Sequence, residues 1–153
     1  MSVTVEQANQ MLEHVPLLTR AKLEVVALER GYVKVKMPIE GNGNHFGVMY
    51  AGNLYSISEY VGAGVLMASI DMTQMIPLAK NASIDYIAPA MGDVFVDISM
   101  TAEAIQALVD EVNENGKAEY VLEPEVTTAD GTVVARAKGT YQLRSLARMP
   151  GKK

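Results

Sequence analysis

The chain has 153 residues and a mass of 16.5 kDa, enough for one domain whose core needs no disulfide or metal to hold it. It has no cysteine and only two histidines, His14 and His45, which excludes thiol nucleophiles, disulfide frameworks and cysteine-ligated metals. A formal net charge of −5 disfavours a nucleic-acid partner, and 49% hydrophobic against 20% charged residues excludes a disordered chain.

Residues 4–14 have the pattern of an amphipathic helix, with Thr4 and Gln7 at capping-box spacing. Pro16 fits the first turn of a second short helix reaching about Ala21. Leu23–Arg30 and Tyr32–Ile39 form two expected strands joined at Gly31; in the second, Val33, Val35 and Met37 alternate with Tyr32, Lys34 and Lys36. A Gly/Asn loop, Glu40–Met49, leads into a largely apolar stretch from Tyr50 to Ile70, expected to be one long helix over about Tyr50–Ser69. Asn53 and Glu59 inside that stretch argue against a membrane span.

Strands follow at about Ala79–Ile87 and Val94–Met100, then a surface helix over Glu103–Asn115 stopped by Gly116. The last two expected strands, about Ala118–Thr128 and Thr132–Leu146, flank the hairpin signal Ala129-Asp130-Gly131, and Pro124 marks a bulge or edge in the first of them. No repeat or linker divides residues 1–153, so one domain is expected. A helix that is apolar nearly all round needs cover on nearly every side, which a curved antiparallel sheet of about six strands wrapped around it supplies. This is an α+β architecture, and its remaining face and edges call for a second copy of the chain. The N-terminal MSVTVEQANQ lacks the basic start and apolar run of a secretory signal, so the cytoplasm is the expected location.

Acid and base are unevenly spread: Ala102 to Asp130 holds eight acids and one base, Lys117, while Gly131 to the end holds six bases and no acid. This fits a solvated acidic helix with a solubilising tail, or bases on the last strand turned toward an anionic ligand. No G-x-S-x-G elbow or G-x-x-x-x-G-K-[ST] loop occurs, no metal-ligand spacing is evident, and Gly62-Ala63-Gly64 reads as close helix packing.

Glu59 is the only acid or base, tyrosines aside, between Tyr50 and Ile70. A carboxylate in an apolar layer must be paired, hydrogen-bonded or free to take a proton. Upstream, Gly41-Asn42-Gly43-Asn44-His45-Phe46-Gly47 runs into the helix start, whose free N–H groups can hold a developing oxyanion beside the small Ala51 and Gly52. Glu59 lies seven to eight residues beyond them, roughly 11–12 Å of helical rise, too far for both to serve one carbon within a single chain. Two copies of the chain would bring them together.

The stretch from Asn44 to Glu59 resembles the signature of hot-dog-fold acyl-CoA thioesterases of the phenylacetyl-CoA thioesterase type. That signature is an Asn, a His-Gly-Gly six residues later, and an Asp or Glu nine residues after the His. Asn44, Gly52 and Glu59 fall in register, and Tyr86-Ile87-Ala88-Pro89 resembles the Tyr-x-x-Pro turn after the third strand. The His is Tyr50 here and the first Gly is Ala51; a phenol with a pKa near ~10 cannot replace imidazole as base.

The resemblance, over about residues 20–146, implies a hot-dog domain that hydrolyses an acyl-CoA or other acyl thioester, with coenzyme A entering only as part of the substrate. It implies Glu59 as general base or nucleophile, Asn44 orienting water or carboxylate, and the Gly52 N–H on the thioester oxygen. His45, Tyr50, Ala51, Lys80, Asn81 and Ala82 become substrate-binding candidates, Lys80 for the phosphates. No metal and no nucleic acid are expected; a homodimer, or a homotetramer of two such dimers, is. The alternative is a non-catalytic acyl-CoA or lipid-binding protein of the same fold.

Overall fold

A computed structural model describes residues 2–150, so Lys152 and Lys153 of the basic tail lie outside the described residues. The chain runs α1 (Val5–Leu12), α2 (Pro16–Arg20), β1 (Glu24–Glu29), β2 (Tyr32–Met37), α3 (Ala51–Gly64), β3 (Met75–Tyr86), β4 (Val94–Ser99), α4 (Ala102–Asn115), β5 (Lys117–Leu122), β6 (Glu125–Thr128) and β7 (Val133–Ser145), then a single 3-10 turn. The Thr4–Gln7 capping box is present in full. Gly116 closes α4 in the left-handed conformation its N–H needs to reach Val112 O.

All strand pairs are antiparallel, in the order β1-β2-β4-β6-β7-β3 with β5 also on β7, and the curved sheet does not close. There are seven strands among the described residues rather than about six. The extra one arises at Pro124, which has no N–H to give to the ladder. Ala118–Thr128 therefore splits: β5 pairs with one half of β7 from Lys117↔Arg144 to Leu122↔Gly139, and β6 pairs with the other half while also reaching β4.

Helix α3 lies against β2, β3, β4, β6 and β7. It is shorter than the apolar run suggests. Gly62 and Gly64 weaken its end, and the chain continues from Val65 to Ile70 in tight turns closed by Leu66 N→Ala63 O and Met67 N→Gly64 O. Val65, Leu66, Met67 and Ile70 are all buried in those turns. Their apolarity reports burial, not helix.

Contact between helix and sheet is closest at Gly62, where a Cβ would fall inside the Tyr141 ring. Gly139 makes room for the same ring from below, its virtual Cβ lying 2.5 Å from Tyr141 Cε2. The two edges of the sheet are treated differently. At β1, the Asn9 amide of α1 both donates to Val25 O and accepts from Val25 N, each at 2.9 Å, covering the backbone there. At β3, the whole stretch from Leu78 to Lys80 is exposed, and among the described residues the strand pairs only with β7.

The acid–base asymmetry has structural uses. Arg136 pairs with Glu125 at 3.2 Å, and Arg148 donates to the carbonyls of Glu114 and Asn113 at the end of α4, where a cation suits the helix dipole. One base of the last strand, Arg136, and Arg148 beyond it are thus engaged on the fold's own surface. Gly62→Ala would ordinarily favour a helix; here the overpacking against Tyr141 should cost about 1–3 kcal/mol. Thermal melting should show a fall in Tm of several degrees, and an unchanged Tm would mean the helix–sheet spacing is not fixed at Gly62.

Candidate functional site

The loop before α3 is held by its asparagines. Buried Asn42 donates from Nδ2 to Ala21 O at 2.7 Å and Pro38 O at 2.8 Å, while its Oδ1 accepts from Asn53 Nδ2 at 3.1 Å. Its backbone O accepts from Tyr50 N at 2.9 Å, which fixes the residue preceding the helix. Asn44 closes an Asx turn: its Oδ1 accepts from Phe46 N at 2.9 Å and Val48 N at 3.3 Å. The Asn44 Nδ2 donates to no acceptor among the described residues.

Tyr50 caps α3 in an extended conformation without a side-chain cap bond. The N–H groups of Ala51 and Gly52 donate to no backbone or side-chain acceptor among the described residues, as expected of a first helical turn. Gly52 is small for a reason the sequence does not show: its virtual Cβ lies 2.5 Å from Tyr50 Cε1, so the Tyr50 ring takes the place of a side chain there.

Beside this turn lies an apolar cavity of about 330 Å³, bounded by Asn44, Met49, Ala51, Leu54, Tyr86 and Pro89. The Tyr86 hydroxyl donates to Ala51 O at 3.2 Å, and Phe46 and Met91, 85% and 74% exposed, stand free nearby on their loops. His45 is exposed at the loop tip and stacked on Phe46 at 5.6 Å between ring centroids.

Glu59 is half-buried two turns further along α3. No hydrogen bond or ion pair to its carboxylate occurs among the described residues, and burial alone pushes its pKa above the ordinary carboxylate value. The side of α3 that the sheet leaves partly open carries Ala51, Gly52, Tyr55, Ser56, Glu59 and Ala63. The helix N-terminus and Glu59 therefore share one uncovered stripe but lie at different heights on it.

The other sequence candidates lie along β3. Lys80 is the bulge residue of the β3–β7 pair and is bound to Glu119 in a half-exposed ion pair, while Asn81 and Ala82 follow opposite Thr140 and Gly139. They are not part of the cavity beside Ala51. Sequence reasoning missed Asn42 as the anchor of the loop, and Tyr120 and Tyr141, which reach α3 from the sheet; none carries a local signal. Among the described residues no group of three His, Asp or Glu is placed to hold a metal ion, and no helix is long and apolar enough to cross a membrane.

The unpaired Glu59 has a consequence for stability. Its folded-state pKa is raised, so its charge costs stability fully above that pKa. The cost shrinks as pH falls through the interval down to the ordinary carboxylate value and vanishes below it. Glu59→Gln should therefore melt higher than the wild type at neutral pH, with the two curves converging on acidification. Equal melting temperatures at pH 7 would mean that the carboxylate is well solvated.

Over residues 6–143 the chain matches the family described as Domain of unknown function (DUF4442). Among solved structures, PA5026 from Pseudomonas aeruginosa, a protein of unknown function designated a probable thioesterase, is 39% identical. It superposes with a TM-score of 0.88 over 95% of this chain and 98% of its own. Thioesterase HI1161 from Haemophilus influenzae is 13% identical, with a TM-score of 0.77 over 99% of this chain and 97% of its own. A mutant of thioesterase PA1618 from Pseudomonas aeruginosa is 14% identical, with a TM-score of 0.74 over 95% and 97%. At those identities the likeness is one of fold. No curated protein matches. With its antiparallel sheet curved around α3, the chain is a hot-dog protein of the thioesterase-like group and belongs to the DUF4442 family.

Proposed function

We propose that this protein hydrolyses acyl-CoA thioesters, in a site completed by two copies of the chain. The observation that carries the reading is the unpaired, half-buried Glu59 on the same open stripe as the free N–H groups of Ala51 and Gly52. Thioester hydrolysis needs both elements: a base for water, and donors aimed at the oxygen that becomes negative. Glu59 takes the proton of the attacking water. The first turn of α3 polarises the carbonyl, and the Asn44 amide, its carbonyl being held in the loop, donates to the water or the substrate. His45, Tyr50 and Ala51 border the entrance.

The unpaired outer edge of β3 supports a second copy. A 12-residue edge strand with one neighbour is a ready template for antiparallel pairing with its own copy. Pairing there brings the partly open stripe of each α3 toward the other, so that Glu59 of one copy meets the helix N-terminus of its partner. Such a dimer, alone or doubled to a tetramer, explains how groups roughly 11–12 Å apart in one chain serve one carbon. On the same strand, Lys80 exchanges Glu119 for a CoA phosphate at small cost, since an exposed ion pair contributes little. Asn81 and Ala82 line the path of the pantetheine arm.

A panel of acyl-CoAs with detection of released thiol tests the reading directly; the chain has no cysteine, so every thiol comes from substrate. Glu59→Gln should lower kcat by about 10²–10⁴-fold with binding nearly intact. Full activity in this variant would remove Glu59 as base. Absence of thiol release with retained acyl-CoA binding would favour a carrier role.

Sharing of the site between copies has its own test. Proline is well suited to the first position of a helix, and Tyr50 before it is already extended, so Ala51→Pro deletes one N–H without breaking α3. Its kcat should fall by about 10²–10³-fold if that turn holds the oxyanion. Mixing Ala51→Pro with Glu59→Gln copies under exchange should restore about a quarter of wild-type activity, through mixed dimers with one intact site. No recovery on mixing would place the whole site within one chain.

A further inference from the structure

Two phenols from the sheet reach the turn of α3 that carries Glu59. The Tyr141 hydroxyl of β7 donates to the backbone carbonyl of Glu59 at 3.1 Å, and the Tyr120 hydroxyl of β5 donates to that of Gly62 at 2.7 Å. Their rings stack at 5.4 Å with an interplanar angle of 21°. At the helix end, the carbonyls of Val61, Ala63 and Gly64 accept from Val65, Leu66 and Met67. Gly62 O receives the Tyr120 hydroxyl instead, which completes the helix end from outside it.

The Tyr141 contact is different. A carbonyl in the middle of a helix already accepts from the N–H four residues on and has one lone pair to spare. The helix does not need the Tyr141 bond to form. Yet the chain gives up side chains at both Gly62 and Gly139 to admit the ring that makes it.

We propose that Tyr141 is a positioning residue for Glu59: its hydroxyl fixes the depth and rotation of the turn bearing the carboxylate and keeps water from entering behind it. This rests on the reading of Glu59 as the base. A half-buried carboxylate without partners has nothing of its own to hold it in one place, so the backbone beneath it must be held instead. The titratable groups that feel its charge among the described residues are phenols, Tyr120 on β5 and Tyr141 on β7, with Tyr55 one turn earlier on α3 beside Tyr141. Burial first, and then the Glu59 charge, push the Tyr141 phenol up to about 12, which puts the carboxylate within electrostatic reach of that hydroxyl. Tyr120 is raised in the same way, by burial first, then by Tyr141 and Glu59.

The test is Tyr141→Phe, which keeps the ring in the space between Gly62 and Gly139 and removes only the hydroxyl. Two quantities are read: the acidic limb of the kcat–pH profile on an acyl-CoA that the wild type hydrolyses, and the Glu59 carboxyl titration by ¹³C NMR without substrate. With the turn released and water admitted, both should move to lower pH, while kcat falls roughly five- to tenfold, the worth of one hydrogen bond, and KM stays unchanged. Tyr120→Phe should lower Tm by uncapping the helix and shift the Glu59 titration less.

An unshifted Glu59 titration in Tyr141→Phe overturns the proposal, as does an equal shift in both variants, which would mark general loosening. The reading of the site fails separately. If the wild type releases no thiol, Glu59 is not a base for that reaction, while the NMR titration still decides whether Tyr141 sets its environment.

Discussion

At Gly62 the central helix comes so near the sheet that the Tyr141 ring fills the place of a side chain. That contact fixes more than a distance. A cylinder packed against a curved sheet can turn about its own axis, and which residues end up uncovered depends on that angle. With Gly62 turned to Tyr141 and Gly64 to Val33, the side bearing Leu54, Ile57 and Val61 is buried and the stripe through Ala51, Tyr55, Glu59 and Ala63 faces the opening. Had the helix carried a larger residue at 62, it would have to lift or rotate. Glu59 would then lose either its burial or its outlook.

The open stripe and the bare edge of β3 are two consequences of one shortage. A sheet from a single chain of this length does not close around the helix, so something polar or something foreign must meet what is left. At the β1 edge the chain supplies its own cover with Asn9. At β3 no side chain of another element covers the backbone in this way among the described residues, and the strand's only interruption of register is the bulge at Lys80. Pro77 sits only near the start. On the proposed reading, a second copy covers this edge beside the helix face that holds the unpaired carboxylate.

Much of this was legible in the residues and some was not. Period-two alternation marks β2, the Thr4 capping box and the Gly116 stop mark α1 and α4, and the single carboxylate in an apolar run marks Glu59. Helix α3 was overestimated at its end because burial and helicity both select apolar residues, and Val65–Ile70 is buried in turns. The seventh strand was hidden because Pro124 interrupts a ladder without interrupting the alternation on either side of it. Tyr120 and Tyr141 could not be singled out, since their meaning lies in a contact across roughly 60 to 80 residues of sequence. Gly52 was recognised for its size, but the occupant of the space is the chain's own Tyr50.

That last substitution shapes the chemistry on the proposed reading. Where the resembled signature has an imidazole, this chain has a phenol lying across the first turn of α3, and its one nearby histidine stacks on Phe46 at the loop tip. A phenol can shield the turn from water and donate a hydrogen bond, but near neutral pH it takes no proton. Removal of the proton from water therefore falls to Glu59 alone. A lone carboxylate is a weak base at its ordinary pKa; burial strengthens it, at a cost in stability that the rest of the fold must offset. The buried phenols around Glu59 suit that arrangement, because a nearby cation would pull the carboxyl pKa back down, whereas neutral rings keep it raised and dry. Tyr50 at the helix start and Tyr141 beneath the carboxylate are thus parts of one solution. Each gives an apolar surface and a single hydroxyl where a charge would spoil the base.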